Sequence, residues 1–138
     1  ILKEINFDLK NKNVCVVANS DIFGKSLVKV LECRGASAIA INNSSKGLSD
    51  KTKMADILIT AIGKRGYIKK EMIKEGAVII DIGITKKGGR VFGDVDFNSV
   101  KARAGFITPV PGGVGPITIA MAFKNTLALY KNKSNKEV

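Results

Sequence analysis

The sequence has no histidine and no tryptophan, and it has only two cysteines among 138 residues. Without histidine, the imidazole groups that serve as zinc ligands and as general bases are missing. Cys15 lies in an apolar run and Cys33 in a segment with helical spacing, so neither indicates a disulfide framework or a metal site. We therefore expect a protein of a reducing compartment that binds no metal.

Aromatic residues are also scarce, at 6% of the chain, whereas 23 basic residues against 12 acidic ones give a net charge of +11. The lysines are scattered, and the aromatic residues do not alternate with them as a base-stacking surface requires. No apolar run approaches the roughly 20 residues that span a bilayer. We expect no nucleic acid and no membrane as a partner, and the charge favours a small ligand that carries phosphate.

Five short apolar runs are rich in valine and isoleucine, and they are contiguous rather than alternating. Glycine, asparagine, aspartate or lysine bounds each of them. This pattern is typical of strands that are buried on both faces of a parallel sheet. The runs are residues 13–18, 37–41, 56–61, 77–82 and 105–110.

Segments with helical spacing lie between and after these runs. An apolar stripe from Phe23 to Arg34 ends at Gly35, a residue type that commonly terminates helices. A short helical turn over 71–75 is closed by the next glycine in the chain. A longer amphipathic helix over 117–130 begins just after a proline.

The alternation of strands and helices predicts an α/β fold. We expect it to be Rossmann-like and doubly wound, with a mostly parallel sheet of about five strands and helices on both faces. The expected domain covers residues 1–130, of which 1–10 form the end of a preceding helix and a linker. Residues 131–138 are expected to be a basic tail that is disordered by composition. Because the chain opens at Ile1 within such a helical pattern, we expect it to be part of a longer protein.

The loops that follow the strands are the candidate site, because ligands of open α/β sheets bind beyond the carboxyl ends of the strands. The loop 18–26 enters a helix, a geometry that points backbone N–H groups at a pyrophosphate. It holds only Gly24 and lacks the G-x-G-x-x-G spacing, so a structural turn explains it equally well. The loop 42–46 offers asparagine, serine and lysine but no acid, which leaves NAD and NADP open.

The segment 109–116 is the least ordinary loop of the chain. It holds all three prolines, and they enclose Gly112, Gly113 and Gly115. The prolines remove backbone freedom, while the glycines expose main-chain donors, so we predict a rigid rim against a flat ligand. By comparison, the glycines of 61–67 and the acid at Asp81 fit a structural role at least as well as a functional one.

Four segments carry a resemblance to a known family: ITPVPGGVGPITIAM at 107–121, GDVDF at 93–97, DIGI at 81–84 and ADILITAIGKRGY at 55–67. Over essentially its whole length the chain resembles the C-terminal domain of the bifunctional methylenetetrahydrofolate dehydrogenase/methenyltetrahydrofolate cyclohydrolase family. The resemblance implies a two-domain enzyme. Such an enzyme oxidises 5,10-methylenetetrahydrofolate with NAD or NADP and hydrolyses the methenyl product to 10-formyltetrahydrofolate.

The resemblance also implies the partners of this chain. The catalytic lysine and tyrosine of the family lie in an N-terminal folate domain that is absent here, so we expect no catalytic residue in this chain. The expected partners are tetrahydrofolate derivatives, that missing domain and a second copy in a homodimer. We expect a cytoplasmic location, and the sequence leaves an organellar one open.

Ten positions of the chain correspond to ligand-binding positions of the family. The resemblance implies a dinucleotide on one group of them and the folate substrate on the other. The cofactor-binding positions are Ala18, Asn19, Ser20, Asn43 and Ile84, and the substrate-binding positions are Pro111, Gly112, Gly113, Val114 and Gly115.

The chain departs from the family pattern at the nucleotide positions. Asn19 stands where the family has an arginine that reaches the 2′-phosphate of NADP, and Ala18 stands where it has glycine. A guanidinium bond to phosphate is worth more than a neutral amide bond. NADP, NAD and a weakened site therefore all stay open. The alternative hypothesis is a degenerate or regulatory domain that keeps the fold and has lost cofactor binding.

Overall fold

Residues 1–134, which the computed structural model describes, form one central parallel sheet and a small hairpin. Their strands are β1 (Asn13–Ala18), β2 (Ser37–Ile41), β3 (Ile57–Ala61), β4 (Val78–Asp81), β5 (Thr85–Lys87), β6 (Arg90–Phe92) and β7 (Phe106–Ile107). The central sheet has the order β2-β1-β3-β4-β7, and β5 and β6 form an antiparallel hairpin. Because the chain runs outward in both directions from β1, the order reverses between β1 and β3. The predicted α/β doubly wound fold is confirmed.

The helices cover both faces of the sheet. They are α1 (Asp21–Glu32), α2 (Leu48–Lys53), α3 (Phe97–Lys101) and α4 (Val114–Ser134), with a 3₁₀ turn at Lys70–Met72. On one face, Val14 and Val16 pack in a buried cluster with Leu31 of α1. On the other face, Val17 packs in a second cluster with Leu48 of α2 and Val100 of α3. Alternate residues of β1 thus serve opposite faces, as expected of a strand that is buried on both sides.

Three short elements were missed by the sequence patterns, namely α2, α3 and the β5–β6 hairpin. Each has between three and six residues, too few for a hydrophobic period to stand out. The last predicted strand, 105–110, is shorter in the structure and ends at Ile107. Pro109 and Pro111 have no N–H to donate to a ladder, so the pairing stops before them.

The last helix differs from its prediction in start, end and exposure. It begins at Val114, with Pro116 inside its first turn, where a missing N–H costs nothing. It continues to Ser134, so residues 131–134 are helical instead of belonging to a disordered tail. Residues 135–138 of that predicted tail lie outside the described part of the chain. Apolar side chains occur around the helix, not on one stripe, and most are exposed.

The beginning of the chain forms a single turn. The N–H groups of Glu4 and Ile5 donate to the carbonyl of Ile1, at 3.0 and 3.3 Å. Irregular backbone follows, and Leu2 and Phe7 pack against the core cluster beneath α1. In the described residues no helix has both the length and the apolar character that a membrane crossing demands.

Candidate functional site

The carboxyl edge of the sheet brings the predicted loops together. The loops after β1, β3 and β4 lie side by side there, because these strands are adjacent and parallel. The reversal of strand order between β1 and β3 is the position at which α/β sheets bind ligands. Groups that hold a nucleotide are therefore expected in the loops at this edge.

The loop after β1 prepares the start of α1. Ala18 is buried at the strand end, and the Ser20 hydroxyl caps the helix by accepting the N–H of Phe23 at 3.3 Å. The Asn19 amide donates to the carbonyl oxygen of Ile62, at 3.1 Å, and so ties this loop to the loop after β3. Gly24 lets α1 lie close to the sheet, because a Cβ there would come within 3.2 Å of Ala40 Cβ. The positive end of α1 thus lies at the switch in strand order.

The loop after β2 closes on itself. The Asn42 carboxamide oxygen accepts from both the N–H and the hydroxyl of Ser44, each at 2.9 Å. Asn43 joins the next loop through its carbonyl oxygen, which accepts the Tyr67 hydroxyl at 3.0 Å. The Asn43 backbone, rather than its amide, makes this bond. Asn42 and Asn43 are neutral, so neither supplies the positive charge that the family pattern has at position 19 and that Asn19 lacks.

Ile84 and the segment 111–115 form the walls of one apolar cavity of about 550 Å³. Ile84 is 60% exposed, so its side chain is accessible to a ligand in this cavity. The segment 111–115, on the wall opposite Ile84, is packed so closely that it requires glycine at position 113. A Cβ on Gly113 would collide with the Pro109 carbonyl oxygen. The structure thus brings the predicted cofactor-binding residue Ile84 and the predicted substrate-binding segment together. Ala18, Asn19, Ser20 and Asn43 lie elsewhere along the edge.

Two buried aspartates lie beneath these loops. Asp81 ends β4 and is 3% exposed, and Asp94 follows the hairpin and is fully buried. Each carboxylate accepts three hydrogen bonds, all from backbone N–H groups except one from the Thr60 hydroxyl. Burial raises the pKa of Asp81, and its bonds from N–H groups oppose that rise. Asp94 was not singled out in the sequence, where only its place in GDVDF distinguished it.

Basic side chains flank the cavity on the hairpin side. The Arg65 guanidinium stacks on the Phe92 ring at 3.5 Å from its centre, and the Lys64 ammonium lies 5.5 Å from the centre of the Tyr67 ring. Lys86, Lys87 and Arg90 of the hairpin are exposed. Among the residues that the structure describes, Asp81 is the only acid that lines the cavity, and its oxygens are already bonded to N–H groups. The arrangement can bind and orient a flat anionic ligand, and the described residues around the cavity offer no free general base.

A family model for the NAD(P)-binding domain of tetrahydrofolate dehydrogenase/cyclohydrolase matches residues 1–134. The chain belongs to this family. A relative is the bifunctional protein FolD of Hydrogenobaculum sp. strain Y04AAS1, which is 49% identical over 133 residues. That match covers 96% of this chain and 48% of the relative. The predicted family and its C-terminal NAD(P)-binding domain are confirmed.

Solved structures of the family agree with this assignment. The bifunctional FolD enzyme of Campylobacter jejuni superposes with a TM-score of 0.90 at 39% identity, over 96% of this chain and 47% of that one. The enzyme of Trypanosoma brucei, solved with its NADP cofactor and an inhibitor, gives 0.88 at 35% identity, over 96% and 48%. The chain therefore spans about half the length of the relatives it matches. The ten ligand-binding positions stay predictions.

Proposed function

We propose that this chain is the dinucleotide-binding half of an enzyme that oxidises 5,10-methylenetetrahydrofolate to the methenyl form and hydrolyses that product to 10-formyltetrahydrofolate. Membership of the family supports the proposal. The observation that carries it is the cavity in which Ile84 faces the segment 111–115 at the carboxyl edge of the sheet. A flat dinucleotide ring and a flat pterin can lie against each other in such an apolar space.

We assign the dinucleotide to the carboxyl ends of β1, β2 and β4. The N–H groups at the start of α1, with Ser20, would hold the pyrophosphate, and Asn43 would contact the adenosine ribose. Ile84 would lie against the nicotinamide. When bound, NAD(P) supplies the hydride acceptor. The protein's part is to fix the orientation of the two reactants, which makes the transfer effectively unimolecular.

The substrate side is assigned to Pro111, Gly112, Gly113, Val114 and Gly115. Val91 of the hairpin and Ile119 of α4 extend the same apolar lining. These side chains would exclude water from the reacting faces of the ligands. Asp81 stays bonded to backbone N–H groups, so the acid–base groups of the reaction must come from another part of the protein.

A second domain is proposed to supply those groups and to cover α4. Ile119, Phe123 and Leu127 follow one another at four-residue spacing and are 61%, 73% and 53% exposed. So many exposed apolar side chains on one helix normally face a partner. Relatives that are about twice as long have the chain length for that partner. Since Ile119 also lines the cavity, the same domain would close the site. The homodimer and the cytoplasmic location stay predictions.

Titration of the chain with NAD+ and with NADP+ by isothermal calorimetry tests the proposal. We expect saturable binding, and at least tenfold weaker binding for Asn19→Asp, which places a negative charge near the proposed phosphate positions. Asn13→Asp is the matched control, because Asn13 lies at the opposite, amino end of β1. Absence of saturable binding of either dinucleotide, by the chain and by the full-length protein, would reject the proposed function.

A further inference from the structure

The two buried aspartates connect three loops of the site into one unit. The Asp81 carboxylate accepts the N–H of Gly83 at 2.9 Å, in the loop after β4. It also accepts the N–H groups of Asp94 and Val95, at 3.1 and 2.9 Å, in the segment that follows the hairpin. Asp81 therefore ties the loop that precedes Ile84 to the return of the hairpin.

Asp94 continues the connection to the loop after β3. Its carboxylate accepts the Thr60 hydroxyl at 3.0 Å, the Ile62 N–H at 2.7 Å and the Lys64 N–H at 2.8 Å. The carbonyl of the same Ile62 accepts the Asn19 amide. A continuous path of hydrogen bonds thus runs from the proposed pyrophosphate loop to the proposed nicotinamide wall.

Two glycines show how closely the unit is packed. A Cβ on Gly83 would overlap the Asp94 carboxylate, and a Cβ on Gly93 would overlap the Asp81 carboxylate. The Asp94 carboxylate thus lies against Gly83, two residues after Asp81, and the Asp81 carboxylate lies against Gly93, directly before Asp94. The two loops cannot slide past each other unless both carboxylates move.

The hydrogen bonds of this unit require carboxylates in which both oxygens act as acceptors. Asp94 has three donors for its two oxygens, with one oxygen taking both the Thr60 hydroxyl and the Ile62 N–H. An asparagine offers one acceptor and one donor group, so its NH₂ would face a donor at one of these places. A buried donor that faces another donor loses its bond and its hydration, which displaces the loop that carries it.

We propose that Asp94, acting with Asp81, is a positioning residue that sets the distance between the pyrophosphate loop and the nicotinamide wall. Every carboxylate oxygen of the two residues already accepts a hydrogen bond from the protein, so we assign neither of them a direct part in the reaction. The proposal rests on the proposed function, because it needs a dinucleotide on these loops. It predicts that Asp94 affects hydride transfer more than hydrolysis, since hydrolysis of the methenyl product consumes no dinucleotide.

The test measures both activities of the full-length protein with Asp94→Asn. We expect the dehydrogenase kcat/KM to fall at least tenfold and the cyclohydrolase kcat/KM to change less than twofold. Asp96→Asn is the matched control, because Asp96 is a partly exposed acid two positions away that pairs with Lys69 at the surface. It should leave both activities within twofold of the wild type.

Thr60→Val gives a milder second variant if Asp94→Asn does not fold. It removes one of the three donors to Asp94 and preserves the shape of the side chain. The same preferential loss of dehydrogenase activity is expected, to a smaller extent. An equal loss of both activities would show a role in folding alone, and no loss of either would show no positioning role; each overturns the inference. A wild-type protein without either activity would instead reject the proposed function.

Discussion

The choice between NAD and NADP gives a sharp test of the nucleotide loop. Asn19→Arg places a positive charge just after β1, where the Asn19 amide now donates a hydrogen bond to the Ile62 carbonyl oxygen. A charge-assisted bond between a guanidinium and a phosphate contributes about 1.5–3 kcal/mol, or roughly 10- to 150-fold in affinity. Only NADP has the 2′-phosphate that gains this bond.

The loss of the bond from Asn19 to Ile62 does not disturb the comparison. That bond is worth about 0.5–1.5 kcal/mol, and its loss weakens both dinucleotides alike. The ratio of the two dissociation constants therefore isolates the phosphate contact. We expect this ratio to shift toward NADP by at least tenfold in Asn19→Arg.

Isothermal calorimetry at two salt concentrations measures the effect. The gain for NADP should shrink at the higher salt concentration, because a partly exposed charge pair is screened. Asn13→Arg is the control, since it adds the same charge at the opposite end of β1 and should shift the ratio less than twofold. An unchanged ratio in Asn19→Arg would refute the assignment of this loop to the nucleotide.

Three further predictions concern packing, docking and thiol reactivity. Gly93→Ala should lower the free energy of unfolding by about 2–4 kcal/mol, because its Cβ would overlap Asp81. Gly115→Ala is the control, because no atom lies within 4 Å of its Cβ. Equal melting curves for the two variants would contradict the close packing at Gly93. Leu127→Ser should leave the melting temperature of the chain within 1 °C, because Leu127 is 53% exposed there. It should lower the melting temperature of the full-length protein by several degrees, because the second domain is proposed to cover this side chain. Equal effects on the two proteins would argue against a second domain on α4. In a thiol titration at pH 8, Cys33 should react rapidly and Cys15 only after unfolding, because burial raises the pKa of Cys15 to about 12; two fast thiols would contradict this.

The sequence determined the central sheet and the family. Strands β1, β3 and β4 are visible as local runs because a strand that is buried on both faces must be apolar at nearly every position. The edge strand β2 is apolar in the same way, although only its Ala38 is buried. Their order in the chain, with helical stripes between them, leaves a doubly wound sheet as the simplest arrangement. The proline- and glycine-rich segment 109–116 stands out equally well, because those residue types act on their own backbone.

Only the tertiary structure decided which residues meet. Asp94 bonds to Thr60 across 34 positions of sequence, and Asp81 bonds to Val95 across 14. No local period records such pairs, because a hydrogen bond between loops depends on where neighbouring strands end. The exposure of α4 was hidden for the same reason: its apolar residues predict burial, and which surface buries them depends on what packs there. Local patterns thus predicted the longer strands and helices, whereas the arrangement of strand ends at the carboxyl edge of the sheet brought Asp81 and Asp94 together.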